Sequence, residues 1–448
     1  MRHVVRSGVV AGVLLLAWPV HAAMSGADAK GTLSYDRFER SAVCASCHVD
    51  IYQQWTQAMM SQAYTHHWDE IEYFELAVEH ARRDPALQEA VDGCNGCHTP
   101  MAYLAGDLPP PRPSEGSRAN ESVNCDVCHT ITAFAGDTPF NFNWISEPGR
   151  VKYGNKPGLV SPHHDTAESD FIKSAEFCGT CHNEQSPYGA WVKSTQLEWA
   201  AGPYAAEGVP CHRCHMPAAM GRNAKMAEEG LVSQHLFHGA HDPGKLSGSV
   251  ELRMHPQERE ILFDDTAVIK VQLFNAKAGH KIPSGSVEDR IVWLHVEATD
   301  SDGKTYHLPV DPKHFAGEEY TIAADVLAYQ DLGLARGDPD FAGLPRDGVP
   351  AGDRIFRMPY FDPQGRMTIM QWNTKSFGPD YRIGPRETII ETFSWPLPAD
   401  IALGPVTVTA TLNYKLLVEP VARYLNVPAE EYRTTIINTA TTTFAVYD

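Results

Sequence analysis

Three things are scarce in this 448-residue chain, and each scarcity excludes something. No cysteine stands outside the pattern C-x-x-C-H, which takes up all ten. Disulfides, the usual assignment for an even cysteine count in an exported protein, do not require a histidine behind every second cysteine. Structural zinc pairs C-x-x-C units in twos, and an odd number of units leaves one stranded. Long apolar runs are also missing. After the basic opening Met1 to Arg6, the run Val9 to Pro19 is too short to span a bilayer, and no later stretch can do so. With the small residues around Ala22 behind it, residues 1–22 read as a cleavable secretory signal peptide rather than an anchor. Basic residues, finally, are few: 37 Lys and Arg face 56 Asp and Glu, giving a net charge of −19, which becomes −21 when Arg2 and Arg6 leave with the signal. Such a field disfavours nucleic acid and anionic membranes and favours partners with basic docking surfaces. The mature chain is expected in the periplasm or outside the cell, without a transmembrane segment and with its oligomeric state open.

What is present in place of these is a fivefold motif: Cys44-Ala-Ser-Cys47-His48, Cys94-Asn-Gly-Cys97-His98, Cys125-Asp-Val-Cys128-His129, Cys178-Gly-Thr-Cys181-His182 and Cys211-His-Arg-Cys214-His215. The spacing suits two thiols that add across the two vinyl groups of one porphyrin while the next histidine meets the iron from the same side. Five covalently attached haems c are therefore expected, with His48, His98, His129, His182 and His215 as proximal ligands. Successive motifs start 50, 31, 53 and 33 residues apart. That long-short rhythm suggests a duplicated two-haem unit, pairing Cys94 with Cys125 and Cys178 with Cys211, with the Cys44 haem in front; loosely constrained spacing is the alternative. Val123-Asn124-Cys125 and Val209-Pro210-Cys211 share local similarity.

Each iron has a sixth position, and whether it is filled separates a wire from a catalyst. Of 21 histidines, ten that are neither in the signal nor proximal lie between His66 and His255. Candidate distal ligands cluster at His66 and His67, at His163 and His164, and at His235, His238 and His241, against the plainer reading of exposed or hydrogen-bonded histidines. His80 falls in an expected helical stretch from Ile71 to Val91, His212 sits inside a motif and His255 is undecided. Met60 is a possible ligand, although packing is the commoner use of methionine. The many aromatics from Tyr52 to Trp144 suit packing around porphyrin faces.

After about residue 249 the cysteines stop and β-branched, alternating runs begin, as in Ala267–Phe274, Arg290–Ala298 and Val406–Tyr414. The expected architecture is α+β: a mainly helical or irregular pentahaem domain over 23–248, then an antiparallel β-sandwich over 249–448 with a loop-rich insertion around 311–385. The loop Ala278 to Gly285 could present His280 to a haem across the boundary, but a structural turn whose His and Ser satisfy backbone groups is preferred. Glu318, Glu319 and Asp325 form no recognisable calcium loop, and no metal beyond haem iron is assigned.

The residues Cys44-x-x-Cys47-His48-x-x-Ile51-Tyr52-x-x-Trp55, Glu198-Trp199 and Cys211-x-x-Cys214-His215-Met216-Pro217 resemble the multihaem superfamily of tetrahaem electron carriers of ammonia oxidisers and hydroxylamine oxidoreductases. The Gly279–Gly285 loop resembles one in β-domains attached to such cytochromes. The resemblance implies closely stacked haems and electron transfer without fixing a reaction. Members often carry a histidine where this chain has Met60, which leaves the sixth ligand of the first haem open. Pentahaem nitrite reductases keep their catalytic haem open with C-x-x-C-K, and no motif here ends in lysine. Three functions follow: an electron carrier between a periplasmic or membrane donor and another redox protein or extracellular acceptor; an oxidoreductase acting on a small nitrogen or sulfur oxyanion at a five-coordinate haem; or a haem-lined filament subunit. The first is preferred, and no catalytic residue is assigned.

Overall fold

A computed structural model describes residues 24–312, 314, 315, 318, 319 and 348–448. The expected signal peptide, Asp325, the side chains of Glu318 and Glu319, and much of the 311–385 insertion lie outside the described residues.

The first half is built from short elements whose purpose is to present the motifs. A helical turn puts residues i, i+3 and i+4 on one face, so C-x-x-C-H in a helix aims two sulfurs and one imidazole the same way. The helices Gln88–His98, Ala175–His182 and Cys211–His215 each contain a whole motif, and Cys125–Cys128 contains the third up to its histidine. Local capping fixes where some begin: Asn124 Oδ1 accepts the Val127 N–H at 2.9 Å, and Ser174 Oγ accepts that of Phe177 at 3.3 Å. The helix expected over Ile71–Val91 is interrupted. Helix His67–Ile71 runs into a π-helical turn, Glu72–Ala77, and then Val78–Arg83, and the chain leaves helical geometry at Asp84 because Pro85 follows it. Four two-stranded ribbons fill the rest, including the parallel pair Val151–Gly154 with Asp165–Glu168 and the hairpin Ala218–Gly221 with Gly230–Ser233.

The second half forms two principal sheets. One is three-stranded, with Thr266–Asn275 between Thr388–Pro396 and Val250–Pro256, all antiparallel. In the other, Gly404–Lys415 lies between Thr435–Tyr447 and Ile291–Thr299. The far side of Ile291–Thr299 carries two short strands, Thr305–His307 and Arg354–Phe356. One edge departs from the antiparallel expectation: Glu260–Leu262 pairs parallel with Ala445–Tyr447. Alternation directs the core. Ala267, Ile269, Val271 and Leu273 from one sheet and Val406, Val408, Ala410 and Leu412 from the other are fully buried in a single apolar cluster. Each larger side chain there contributes about 1.5–3 kcal/mol. Tyr64, Phe74, Leu76 and Val91 of the first half belong to the same cluster, so the core runs across the boundary.

Polar bonds fix the two halves further. Tyr204 Oη donates to the Ala276 carbonyl at 3.0 Å, Ser186 Oγ to that of Thr374 at 2.6 Å, and Arg386 pairs with Glu207. The Trp372 indole N–H donates to His80 Nδ1 at 3.1 Å. His80 is thereby an acceptor joining the halves.

Candidate haem-binding site

Three of the motif histidines face another histidine ring. His48 stands opposite His164 with centroids 6.2 Å apart and planes 25° off parallel, His129 opposite His235 at 6.3 Å and 25°, and His215 opposite His280 at 6.4 Å and 16°. This separation is too wide for ring stacking. It fits an iron between the rings: two metal–imidazole bonds of about 2 Å, with about 1 Å more on each side from nitrogen to ring centre, call for roughly 6 Å.

Which nitrogen faces inward is decided by the other one. His129 Nδ1 donates to the Tyr153 carbonyl at 2.6 Å, His215 Nδ1 to that of His238 at 2.7 Å, and His48 Nδ1 to that of Asn223. On the facing rings, Nδ1 of His164, His235 and His280 meets the carbonyls of Asp165, Ser233 and Lys281 at 3.0, 2.9 and 2.8 Å. A backbone carbonyl behind a ligating imidazole fixes its tautomer and leaves Nε2 for the metal. Burial also lowers the proton affinity of these rings: His215 and His235 are pushed down to about 4, as is His182, and His129 and His280 lie below the ordinary range. Neutral imidazoles are what iron requires. The residues present fit haem. When bound, haem supplies the one-electron couple; the chain supplies ligands, their tautomers and their burial.

His98 is furnished in the same way, its Nδ1 donating to the Ala63 carbonyl at 2.6 Å. Among the described residues, however, no stacked histidine pair forms about His98 or His182.

Of the other sequence candidates, His163 and His67 are exposed, and only His164 of its adjacent pair turns inward, from the connection joining the two parallel strands. His66 lies 3.6 Å from both Asp69 and Glu431, with His241 edge-on at 5.4 Å. His238 offers a carbonyl to His215, while its own Nδ1 lies 3.1 Å from Asp242. His255 is exposed on a strand. Met60 contributes a carbonyl to the Val123 N–H, and His164 occupies the place opposite His48.

The loop of His280 departs from the preferred turn reading, because its ring is turned toward His215. Glu198 makes that placement possible by accepting the Lys281 N–H at 3.1 Å and the Ser284 hydroxyl at 2.9 Å. Arg382 closes the network with a 2.6 Å bridge in which both side chains are almost wholly buried. A Cβ on Gly279 would stand 3.3 Å from the Trp199 indole, so the loop lies close against that ring. Glu198-Trp199 was legible as a motif; that it grips a loop eighty residues on was not.

The motifs touch through their cysteines. The sulfurs of Cys44 and Cys125, of Cys97 and Cys181 and of Cys178 and Cys211 are close neighbours. Cys178 and Cys211, expected as a pair, are neighbours, and Cys125 also neighbours Cys44. A repeated device accompanies this. The Trp55 indole donates to the Val123 carbonyl at 3.0 Å and Trp199 to that of Val209 at 2.8 Å, each two residues ahead of a motif. The local similarity of those two segments thus marks equivalent second members of the pairs Cys44/Cys125 and Cys178/Cys211.

Beside Cys94 lies a buried charged cluster. Burial drives Glu72 and Asp289 well above the carboxylate range and Glu288 up to about 8, with Lys193 pulling the other way. Among the described residues, both carboxylate oxygens of Glu288 and of Asp289 lack hydrogen-bond partners. Lys193 Nζ bonds Glu184 and Gln371.

Residues 43–130, which hold the first three motifs, match the family model described as cytochrome c554 and c-prime. With the motifs and the facing histidines, that match makes this a multihaem c-type cytochrome with covalently bound haem and an electron-transfer role. Among solved structures, a penta-haem cytochrome c552 from Thermochromatium tepidum is similar at 19% identity and TM-score 0.63, over 91% of this chain and 99% of that one. That likeness covers both halves and establishes the fold. A CARDB domain from Pyrococcus furiosus, 12% identical over 44% of this chain and 87% of its own, and Spo0M from Bacillus subtilis, 12% identical over 45% and 50%, have TM-scores of 0.17 and 0.18. No curated protein matches.

Proposed function

We propose that the chain is an exported pentahaem cytochrome that conducts electrons between a periplasmic or membrane donor and another redox protein or an extracellular acceptor. The observation that carries this reading is the connected set of motif cysteines together with three facing histidine pairs. In this reading His48/His164, His129/His235 and His215/His280 are the axial pairs of three low-spin haems. The C-terminal sheets form a β-sandwich that lends His280 to the last of them, and the acidic chain meets partners with basic surfaces. Mass spectrometry of the purified protein should count five haems, and electron paramagnetic resonance should show at least three low-spin irons per chain. Fewer than three low-spin irons would sink the wire.

A second reading has its own observation. Among the described residues His98 and His182 lack stacked partners, and the buried acid Glu72, with Glu288 and Asp289 close to it, lies near Cys94, as a proton donor to a small oxyanion reduced at an open haem would. A high-spin iron that shifts on adding nitrite or sulfite supports it; five low-spin irons insensitive to both remove it.

A further inference from the structure

Away from the motifs, the outer face of the six-stranded sheet gathers two histidines and an acid. His295 and Glu297 alternate outward on Ile291–Thr299, and His307 is the register partner of Glu297. The edge beyond Ile291–Thr299 is divided: Thr305–His307 pairs with its end and Arg354–Phe356 with its start. His307 closes one short strand and Asp353 precedes the other, so the gap between them falls opposite His295. Gly352 permits this approach. Its φ is +96°, and a Cβ there would meet Pro309 Cβ at 2.8 Å and His307 Cε1 at 3.1 Å.

We propose that His295, His307 and Asp353 bind one divalent ion of the zinc class, at a site independent of the haems. Asp353 has no exposed side-chain surface, while the histidines are 29% and 35% exposed. The acid is therefore held from within the fold and the metal is reached from solvent. Bonds of about 2.0–2.1 Å to zinc set neighbouring ligand atoms roughly 3 Å apart. Asp353 Oδ1 lies 3.0 Å from His295 Nδ1 and 2.7 Å from His307 Nε2, and all three ligand atoms fall within 4.8 Å of one another. The rings are 9° from parallel with centroids 5.1 Å apart, so both nitrogens converge on one side of the carboxylate. Behind His295, Glu297 Oε2 lies 3.8 Å from Nε2, where a carboxylate orients a ligating imidazole. Two imidazoles and one carboxylate suit zinc, copper or nickel better than calcium or magnesium, which prefer all-oxygen sets. Three protein ligands stand together among the described residues, the number that leaves a zinc ion a position for water.

The test uses the haem-loaded protein, stripped with a chelator and dialysed against zinc chloride at pH 7.5, with bound zinc measured by mass spectrometry of the metal. Wild type should hold one zinc per chain more than His307→Ala, and Glu297→Gln should bind about 10–100-fold more weakly. The thermal midpoint of wild type should rise with zinc and fall back with chelator. That second readout stands even where a variant misfolds. Equal zinc in wild type and His307→Ala, or a midpoint indifferent to zinc, would show that the trio is a hydrogen-bonded charge arrangement only and overturn the proposal.

Discussion

His280→Ala isolates the least expected ligand. Its ring stands 6.4 Å from that of His215, is held by Nδ1–H to the Lys281 carbonyl and belongs to a loop tied down by Glu198. Cys211 and Cys214 are untouched, so the haem stays attached and the mass changes only by the substitution. The fold loses a half-buried ring and one backbone hydrogen bond, about 2 kcal/mol, too little to unfold a domain of this size. The iron, by contrast, loses its sixth ligand outright. The low-spin signal should therefore fall by one iron per chain, a high-spin signal of the same size should appear, and added imidazole should reverse both. His67→Ala, an exposed ring, is the control and should change neither. An unchanged low-spin integral in His280→Ala would refute the assignment and with it the claim that the β-half completes a haem site.

Glu198→Gln should weaken the same loop indirectly. It strips Arg382 of one buried partner while Asp380 still faces it, so a loss of about 3 kcal/mol in denaturant unfolding is expected, with the low-spin signal of one haem broadened or partly lost. Gly96→Ala places a Cβ 2.3 Å from Phe142 Cγ, inside the second motif. Overpacking of about 1–3 kcal/mol should follow, together with incomplete attachment of that haem by mass spectrometry. Glu288 holds its proton to about 8 in the native state and releases it from an ordinary value of 4.5 when unfolded. Between those values the unfolded chain binds fewer protons, so stability falls as pH rises, by about 5 kcal/mol. Glu288→Gln should match wild type at pH 4 and exceed it at pH 8.5; parallel stability–pH curves would contradict the cause given.

How much of this was legible in the sequence depends on the range of the interaction. The five motifs are local, and so is the helical turn that aims them. His164 and His235 were named because they lie among clustered histidines, but His163 and His238 were named with equal reason. What separates them is which ring the parallel ribbon and the hairpin turn inward, and pleat and register are not fixed by proximity in sequence. His280 was discounted because a Gly-rich loop explains itself as a turn. Its role rests on Glu198 and Arg382, more than eighty and a hundred residues away. The strand runs were legible from β-branched alternation, whereas the parallel edge at Glu260–Leu262 was not, since three residues carry no period. The long-short spacing of the motifs gives no sign that Cys125 lies beside Cys44, because contour length along the chain does not report which motifs meet.

The cysteine contacts say more than pairing. Cys181 neighbours Cys97 and lies near Cys128, while Cys178 neighbours Cys211 and also lies near Cys128. The fourth motif therefore adjoins the second, third and fifth, and the third adjoins the first through Cys125 and Cys44. A chain of five sites in sequence order would have two ends and no branch; this arrangement has a junction, with three termini at the first, second and fifth motifs. At the fifth terminus His280 from the β-half faces the motif histidine, and at the first His164 does. The second has no stacked histidine among the described residues and lies against buried acids. In the proposed reading an electron entering at either end with a facing histidine passes through the junction toward the second motif, so the carrier and the oxidoreductase readings differ in whether that terminus reacts.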